Sequence, residues 1–368
     1  MCGFAGFLDL SDRTPADELA ARVEAMALAI QYRGPDDSGV WVDGEAGVAL
    51  GHRRLSIVDL SPMGHQPMVS ADGRYQLAYN GEVYNWPGLK KELEELGHTF
   101  RGHSDTEVML AAFCRWGVEP SVSRFNGMFA FALWDRKERV LTLARDRIGK
   151  KPLYYGWMGN VFLFGSELKA LRAHPAWNGV VDRNVLALYL RHNYVPGPYS
   201  IYRNVFKVPQ GCLAILSPEK SPAQPAITPY WTAAQAARDG MSHPFEGGEP
   251  EITDELEKLL LDAVGSRMVA DVPLGAFLSG GIDSSLVVAL MQAQSPRPVK
   301  TFTIGFHEKE YNEAVHAKAV AAHLGTDHTE LYVTPPEAMG VIPDLPHMFD
   351  EPFADSSQIP TFLVSRLA

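Results

Sequence analysis

Residues 272–285 read Val272-Pro273-Leu274-Gly275-Ala276-Phe277-Leu278-Ser279-Gly280-Gly281-Ile282-Asp283-Ser284-Ser285. The apolar run Val272–Leu278 predicts a strand that passes directly into a glycine-rich loop, and Ser284–Gln294 then has helical periodicity. The alternation continues with a strand at Val299–Phe306, a helix at Glu313–Leu324 and a strand at Thr329–Val333. Strand and helix in turn predict a doubly wound α/β domain with a parallel sheet. Glycines let a backbone approach an anion closely, while serine hydroxyls and the amides of a helix start donate to it, so phosphate is the expected ligand. Asp283 inside such a loop would repel phosphate unless a divalent cation intervenes, which implies Mg²⁺. Neither the Gly-Lys-Ser/Thr of a Walker A loop nor the Gly-x-Gly-x-x-Gly dinucleotide pattern is present.

Working outward, an amphipathic helix is expected over Glu251–Met268, with Ile252, Leu256, Leu259, Leu260, Ala263 and Val264 at helical spacing. Before it, residues 217–250 turn rich in Pro, Ala, Gly and Ser with little periodicity, as a linker does. The first half of the chain has a different texture. Short apolar or alternating runs, Cys2–Leu10, Ala46–Leu50, Tyr75–Tyr79, Met128–Asp135, Val140–Arg145, Val161–Gly165 and Leu213–Leu216, are bounded by turn residues and predict antiparallel strands. Two helical patterns interrupt them, Ala16–Gln31 and Trp86–Leu96. The expected organisation is an α+β layered domain over 2–216, a linker over 217–250 and an α/β domain over 251–368. A doubly wound domain normally has more strands than fit after the linker, so the second domain is expected to be incomplete.

Composition narrows the partners. The 368 residues are 46% hydrophobic and 21% charged, as in an ordinary globular chain, and the net charge of −11 offers no positive field for nucleic acid or anionic lipid. No apolar stretch approaches the roughly 18 residues a membrane span requires. The three cysteines, Cys2, Cys114 and Cys212, are too few and too scattered for a disulfide framework or a Cys-based zinc site, which predicts a cytoplasmic, reduced protein.

One cysteine is placed for chemistry. The chain opens Met1-Cys2-Gly3-Phe4-Ala5-Gly6. Removal of Met1 would give Cys2 a free α-amine, whose ordinary pKa of about 8 suits it to accept the thiol proton, so nucleophile and base come from one residue. Arg33-Gly34-Pro35-Asp36 is a rigid turn suited to a lid, and Arg54 can grip a carboxylate bidentately. Asn80-Gly81-Glu82 follows a strand and supplies a side-chain amide and a backbone N–H for an oxyanion; Asp105, within Ser104-Asp105-Thr106-Glu107, suits an ammonium group. A cation, anions, an oxyanion hole and a thiol together describe a pocket for an amino acid with an acylated side chain, and glutamine fits.

At these residues the chain resembles the class II glutamine amidotransferases, from Cys2 to about Gly211, including Phe125-Asn126-Gly127-Met128-Phe129, the run from Ala144 to Gly149, Lys151-Pro152-Leu153-Tyr154-Tyr155 and Gly165-Ser166-Glu167-Leu168. The resemblance implies an N-terminal-nucleophile hydrolase sandwich (αββα) in which Cys2 is the nucleophile and Asn80 and Gly81 form the oxyanion hole. It also implies that Arg54, Glu82 and Asp105 hold glutamine, with Arg33 in a loop that closes over it. The second loop resembles the Ser-Gly-Gly-x-Asp-Ser loop of the ATP pyrophosphatases. That likeness implies an incomplete doubly wound nucleotide-binding domain in which Ser279, Gly280, Gly281, Asp283 and Ser284 hold ATP and Mg²⁺, and Phe277 and Ile304 lie against adenine.

Taken whole, with Asp271-Val272-Pro273-Leu274-Gly275 and Asp350-Glu351-Pro352-Phe353-Ala354-Asp355, the chain resembles the glutamine-hydrolysing asparagine synthetase family. This implies an asparagine synthase: glutamine donates ammonia, and aspartate is activated as β-aspartyl-AMP and amidated, with a homodimer compatible. Two departures are visible. The family's second glycine-rich loop is not in this chain, so glutamine hydrolysis rather than full turnover is expected of it. Around Pro360 the texture Asp355-Ser356-Ser357-Gln358-Ile359 also suits amidotransferases that amidate a sugar carboxylate in surface-polysaccharide pathways, so the acceptor stays open between aspartate and another carboxylate. A regulatory module without chemistry and a plain or phosphoribosyl-transferring glutaminase are the other readings.

Overall fold

The structure, a computed structural model, describes residues 1–11, 14–217, 224–307 and 312–368. In chain order the strands are β1 (Gly3–Asp9), β2 (Asp37–Asp43), β3 (Val48–Arg54), β4 (Met68–Val69), β5 (Tyr75–Val83), β6 (Gly127–Asp135), β7 (Val140–Arg145), β8 (Tyr154–Met158), β9 (Val161–Gly165), β10 (Val205–Lys207), β11 (Cys212–Leu216), β12 (Ala226–Pro229), β13 (Gly275–Phe277), β14 (Lys300–Phe306) and β15 (Asp327–Val333). They fall in two units, Met1–His243 and Pro244–Ala368.

The first unit stacks two six-stranded antiparallel sheets, ordered β10-β8-β9-β1-β3-β2 and β12-β11-β7-β6-β5-β4. Side chains alternate across a strand, so β1 sends Phe4 and Leu8 between the sheets and Ala5 and Phe7 to the outer face. Likewise β6 puts Ala130, Ala132 and Trp134 between the sheets and Phe129, Phe131 and Leu133 outside. Strands covered on both faces need apolar residues throughout, which is why these segments read as continuous apolar runs. One outer face is covered by helices Ala16–Leu28, Leu168–Arg172 and Arg183–His192, the other by Trp86–Glu95, Asp105–Trp116 and Val118–Arg124. The result is the expected αββα sandwich. Fully buried side chains such as Trp134, Phe4 and Phe164 each contribute about 2–3 kcal/mol of transfer free energy to it.

Three expectations change. Four helices beyond the two expected cover the sheets. The longest of them, Asp105–Trp116, begins at Ser104, whose hydroxyl accepts the Glu107 N–H at 3.3 Å. The acidic cluster there is therefore also a helix start, where carboxylates complement the dipole. Asn80-Gly81-Glu82 lies inside β5 rather than after it, because the strand continues to Val83 against β6. Residues 217–250 are not featureless: β12 pairs with β11, and helix Ala233–Ser242 follows, capped by Thr232. Residues 218–223 of that stretch lie outside the described residues.

The second unit has three parallel strands in the order β13-β14-β15. Helices Ile282–Gln294 and Ala314–Leu324 cover one face through Val288, Ala317 and Ala321, and helix Gln358–Leu367 covers the other through Leu363. Among the described residues no helix is long and apolar enough to cross a membrane.

Candidate active site

In the first unit a cleft is lined by Cys2, Arg54, Asn80, Gly81, Glu82, Asp105 and Lys151, so five distant sequence segments converge on it. Cys2 stands at the head of β1, and β3, its neighbour, ends at Arg54; Leu55 just beyond sends its N–H to the Cys2 sulfur at 3.3 Å, and the sulfur lies 3.4 Å from the Leu55 carbonyl. Burial pushes the Cys2 thiol up, against the opposing pull of the Leu55 N–H, the chain-terminal amine and the Arg54 guanidinium. The thiol thus needs a base to become a nucleophile. The terminal amine of Met1 is itself pushed down, by burial first and then by the charges of Arg33 and Lys151.

The β5 edge supplies the donors. Backbone N–H groups alternate sides along a strand. Tyr79 N–H goes to Gln66 Oε1 at 2.8 Å and Val83 N–H to Asp105 Oδ2 at 2.9 Å, so both point away from β6. Gly81, midway between them, presents its N–H on the same edge. A side chain there would collide with the Met128 carbonyl of β6, so only glycine lets the strands close. The neighbouring Asn80 is 1% exposed, and among the described residues its Nδ2 has no hydrogen-bond partner. An unsatisfied buried amide in a cleft is costly and fits a group that waits for an oxyanion.

The charged residues divide differently from expectation. Asp105 is buried at the first turn of its helix, where Oδ2 accepts from the Tyr79 hydroxyl at 2.7 Å and from Val83. Burial raises its pKa, opposed by those hydrogen bonds. Its Oδ1 accepts from the Thr106 hydroxyl at 3.4 Å. Arg54 donates Nη2 to the carbonyls of Val58 and Asp59 and Nη1 to Ser61 at 3.2 Å, so it holds the 58–61 loop as well as lining the cleft. Gly64 is packed so closely on this guanidinium that a side chain there would displace it from the loop. Arg33 is expected in a closing loop, yet its Nε donates to the Cys2 carbonyl at 2.9 Å and its Nη1 pairs with Glu167 at 2.5 Å. Glu167 also accepts from Lys169 at 2.7 Å and from Tyr32. Burial favours protonating Glu167, but the Arg33 charge and these donors outweigh it and hold its pKa down. Tyr32 is pushed up to about 12 by burial and by Glu167.

Leu55, Tyr79, Gln66 and Lys151 are site residues that the sequence reading did not single out. Lys151 and Glu167 sit in quoted motifs, but nothing in their spacing assigns a role. The tertiary contacts do.

In the second unit, Ser279–Gly281 links β13 to helix Ile282–Gln294. Gly280 has φ of +81°, and a Cβ there would meet the Ala317 nitrogen at 2.6 Å. The hydroxyls of Ser279 and Ser284 lie 3.0 Å apart, and Gly281 N–H donates to Ser279 at 3.3 Å. Asp283 is exposed in the first turn of the helix. Phe277 pairs in register with Phe302, and Ile304 is two residues further along β14, so Phe277 and Ile304 share one sheet face at the strand ends. Among the described residues no three His, Cys, Asp or Glu side chains gather as a metal cluster. A single carboxylate beside hydroxyls and a helix start, groups of the kind that bind phosphate, nevertheless suits Mg²⁺, which takes one or two carboxylates and completes its shell with phosphate and water.

Residues 1–231 match a family model described as a glutamine amidotransferase domain, and residues 255–368 match one described as asparagine synthase. The glutamine-hydrolysing asparagine synthetase 1 of Bacillus subtilis (strain 168) is 36% identical over all of this chain, which spans 56% of that protein's length. A Methanocaldococcus jannaschii protein named "Putative asparagine synthetase [glutamine-hydrolyzing] 2" is 36% identical over all of this chain and 72% of its own length. Among solved structures, glutamine phosphoribosylpyrophosphate amidotransferase from B. subtilis, complexed with ADP and GMP, shares 18% identity at a TM-score of 0.46 over 92% of this chain and 70% of that one, too loose a likeness to carry an argument.

Proposed function

The chain belongs to the family of glutamine-hydrolysing asparagine synthetases, and on that footing we propose that its first unit frees ammonia from glutamine and its second uses ATP to amidate a carboxylate, aspartate before others. The domain limits of this reading are 2–216 and 251–368, joined through 217–250, in a cytoplasmic protein with no nucleic-acid partner.

With Met1 removed, the Cys2 amine takes the thiol proton and Sγ attacks the side-chain carbonyl carbon of glutamine. The oxyanion is received by Asn80 Nδ2 and the Gly81 N–H. The C–N bond breaks, ammonia leaves with the proton held by the amine, and water hydrolyses the γ-glutamyl thioester to glutamate. Asp105 and Glu82 face the substrate ammonium and Arg54 its carboxylate. In the second unit the acceptor carboxylate attacks the α-phosphorus of ATP with loss of pyrophosphate, and ammonia then displaces AMP to give the amide. Ser279, Gly280, Gly281 and Ser284 would bind the phosphates, with adenine against Phe277 and Ile304. Mg²⁺, held by Asp283 and the phosphates, would neutralise charge there.

The single observation that carries the reading is the unpartnered Asn80 amide beside the Cys2 thiol in one cleft. Glutamate release from glutamine tests it. Cys2→Ala should abolish release, Asn80→Ala should lower kcat by about 10²–10³ with little change in KM, and mass spectrometry should find Cys2 at the mature terminus. Glutamate release unchanged in Cys2→Ala would overturn it. AMP release dependent on aspartate, as against a uronic acid, decides the acceptor.

A further inference from the structure

Arg54 and Asp105, the two charges set against the amino-acid end of glutamine, belong to different sheets: Arg54 closes β3, and Asp105 is tied to β5 through Tyr79 and Val83. One residue reaches toward both. Asp59 is fully buried; its backbone carbonyl accepts from Arg54 Nη2, and its Oδ2 accepts the N–H of His103, two residues before Asp105, at 3.0 Å. Its Oδ1 accepts the Ser61 N–H at 3.1 Å and the Ser61 hydroxyl. The turn ahead of Asp105 packs directly on this carboxylate, since a side chain on Gly102 would collide with Asp59 Oδ2. That turn is braced in its own right: Glu107 accepts the N–H groups of Arg101 and Gly102 at 2.9 Å each, and Ser104 caps the helix that starts at Asp105. A buried carboxylate needs donors around it, and here they come from its own loop and from the Asp105 turn.

We propose that Asp59 is a positioning residue that fixes the separation between Arg54 and Asp105, and so selects substrates carrying both an α-carboxylate and an α-ammonium. The inference rests on the glutaminase reading and deepens it, because Asp59 is not among the residues lining the cleft. Two opposite charges held at a set spacing favour a ligand with the matching pair, and a ligand with one of the two gains nothing from that spacing. No strand ladder joins β3 to β5, so pairing register does not set it. His52 brings the two strands together through the Tyr79 carbonyl at 2.8 Å, whereas Asp59 meets the guanidinium itself and the turn that delivers Asp105.

The test is steady-state glutamate release by the processed protein, with inhibition by L-glutamate compared with inhibition by glutarate, which offers Arg54 a carboxylate but has no ammonium for Asp105. Asp59→Asn keeps the size of the side chain but cannot accept at both of its terminal atoms. Its KM for glutamine and its Ki for L-glutamate should each rise about tenfold, while kcat and the Ki for glutarate stay within about twofold of wild type. Gly102→Ala, which pushes the turn off Asp59 without removing a charge, should show the same selective loss. An unchanged KM in Asp59→Asn, or a loss shared equally by kcat or by glutarate, would overturn the proposal; the shared loss is what general disruption of the site produces. If Asp59→Asn does not fold, Gly102→Ala is read the same way. Wild-type protein that fails to release glutamate would instead sink the glutaminase reading itself.

Discussion

The Tyr79 hydroxyl donates to Asp105 Oδ2 at 2.7 Å where both side chains are buried. Burial and the Asp105 charge push the phenol well above its usual range, so it stays a donor at any working pH. Asp105 is thereby aimed, with one oxygen held by Tyr79 and Val83 and the other, which accepts from the Thr106 hydroxyl at 3.4 Å, turned to its own helix start. Tyr79→Phe should free the carboxylate to turn and raise KM for glutamine about tenfold, the equivalent of about 1.4 kcal/mol, with kcat reduced far less. Steady-state kinetics of glutamate release check this; an unchanged KM would show that Asp105 needs no such anchor.

Arg33 and Glu167 form a second buried relationship, at 2.5 Å with side chains 9% and 11% exposed. Removing one member strands the other charge. Glu167→Gln should destabilise the first unit by about 3–5 kcal/mol and weaken the hold of Arg33 on the Cys2 carbonyl. In urea denaturation the double variant Arg33→Gln/Glu167→Gln should lose less than the sum of the single variants, because the partner left unpaired is then absent. Additive losses would count against the pairing.

Burial holds His52 and His174 down at about 4, against an ordinary value of about 6.5. Both are buried, and His52 contacts the Tyr79 carbonyl at 2.8 Å through Nε2. Between pH 6.5 and 4 the unfolded chain takes up protons that the folded one refuses. Stability should therefore be full above about pH 6.5 and fall as the pH drops toward 4, with His52 contributing up to about 3 kcal/mol of the loss. Urea midpoints at pH 7 and pH 5 measure it, and His52→Gln, which keeps a donor for Tyr79, should flatten the dependence.

Gly280 makes the sharpest demand in the second unit, since its φ of +81° and the Ala317 nitrogen at 2.6 Å both exclude a side chain. Gly280→Ala should move the loop and weaken ATP binding at least tenfold, read by calorimetric titration with Mg²⁺ present, while leaving glutamate release intact. Equal affinity in the variant would detach the loop from nucleotide binding.

Much of this was legible in the chain. The periodicity of 272–333 placed β13, β14, β15 and the helices between them within a few residues, and the short apolar or alternating runs of the first half announced antiparallel strands in a layered α+β domain. Helix Asp105–Trp116 escaped because its start, Ser104 to Glu107, reads equally as a carboxylate cluster and as a cap; local sequence does not distinguish them. Glu107 turns out to accept the N–H groups of Arg101 and Gly102.

What the order of residues determined by itself was which elements form and which groups capable of chemistry they carry, since strand and helix periodicity and loop glycines are local properties. Which of those groups meet was decided by packing. Cys2 reaches Leu55 only because β1 and β3 are neighbours, Arg33 meets Glu167 across 134 residues, and Lys151 enters the cleft through a turn tied to Asp146. Such contacts depend on long-range pairing of strands and on burial, which set each group's partners and proton affinity and leave no periodic trace along the chain.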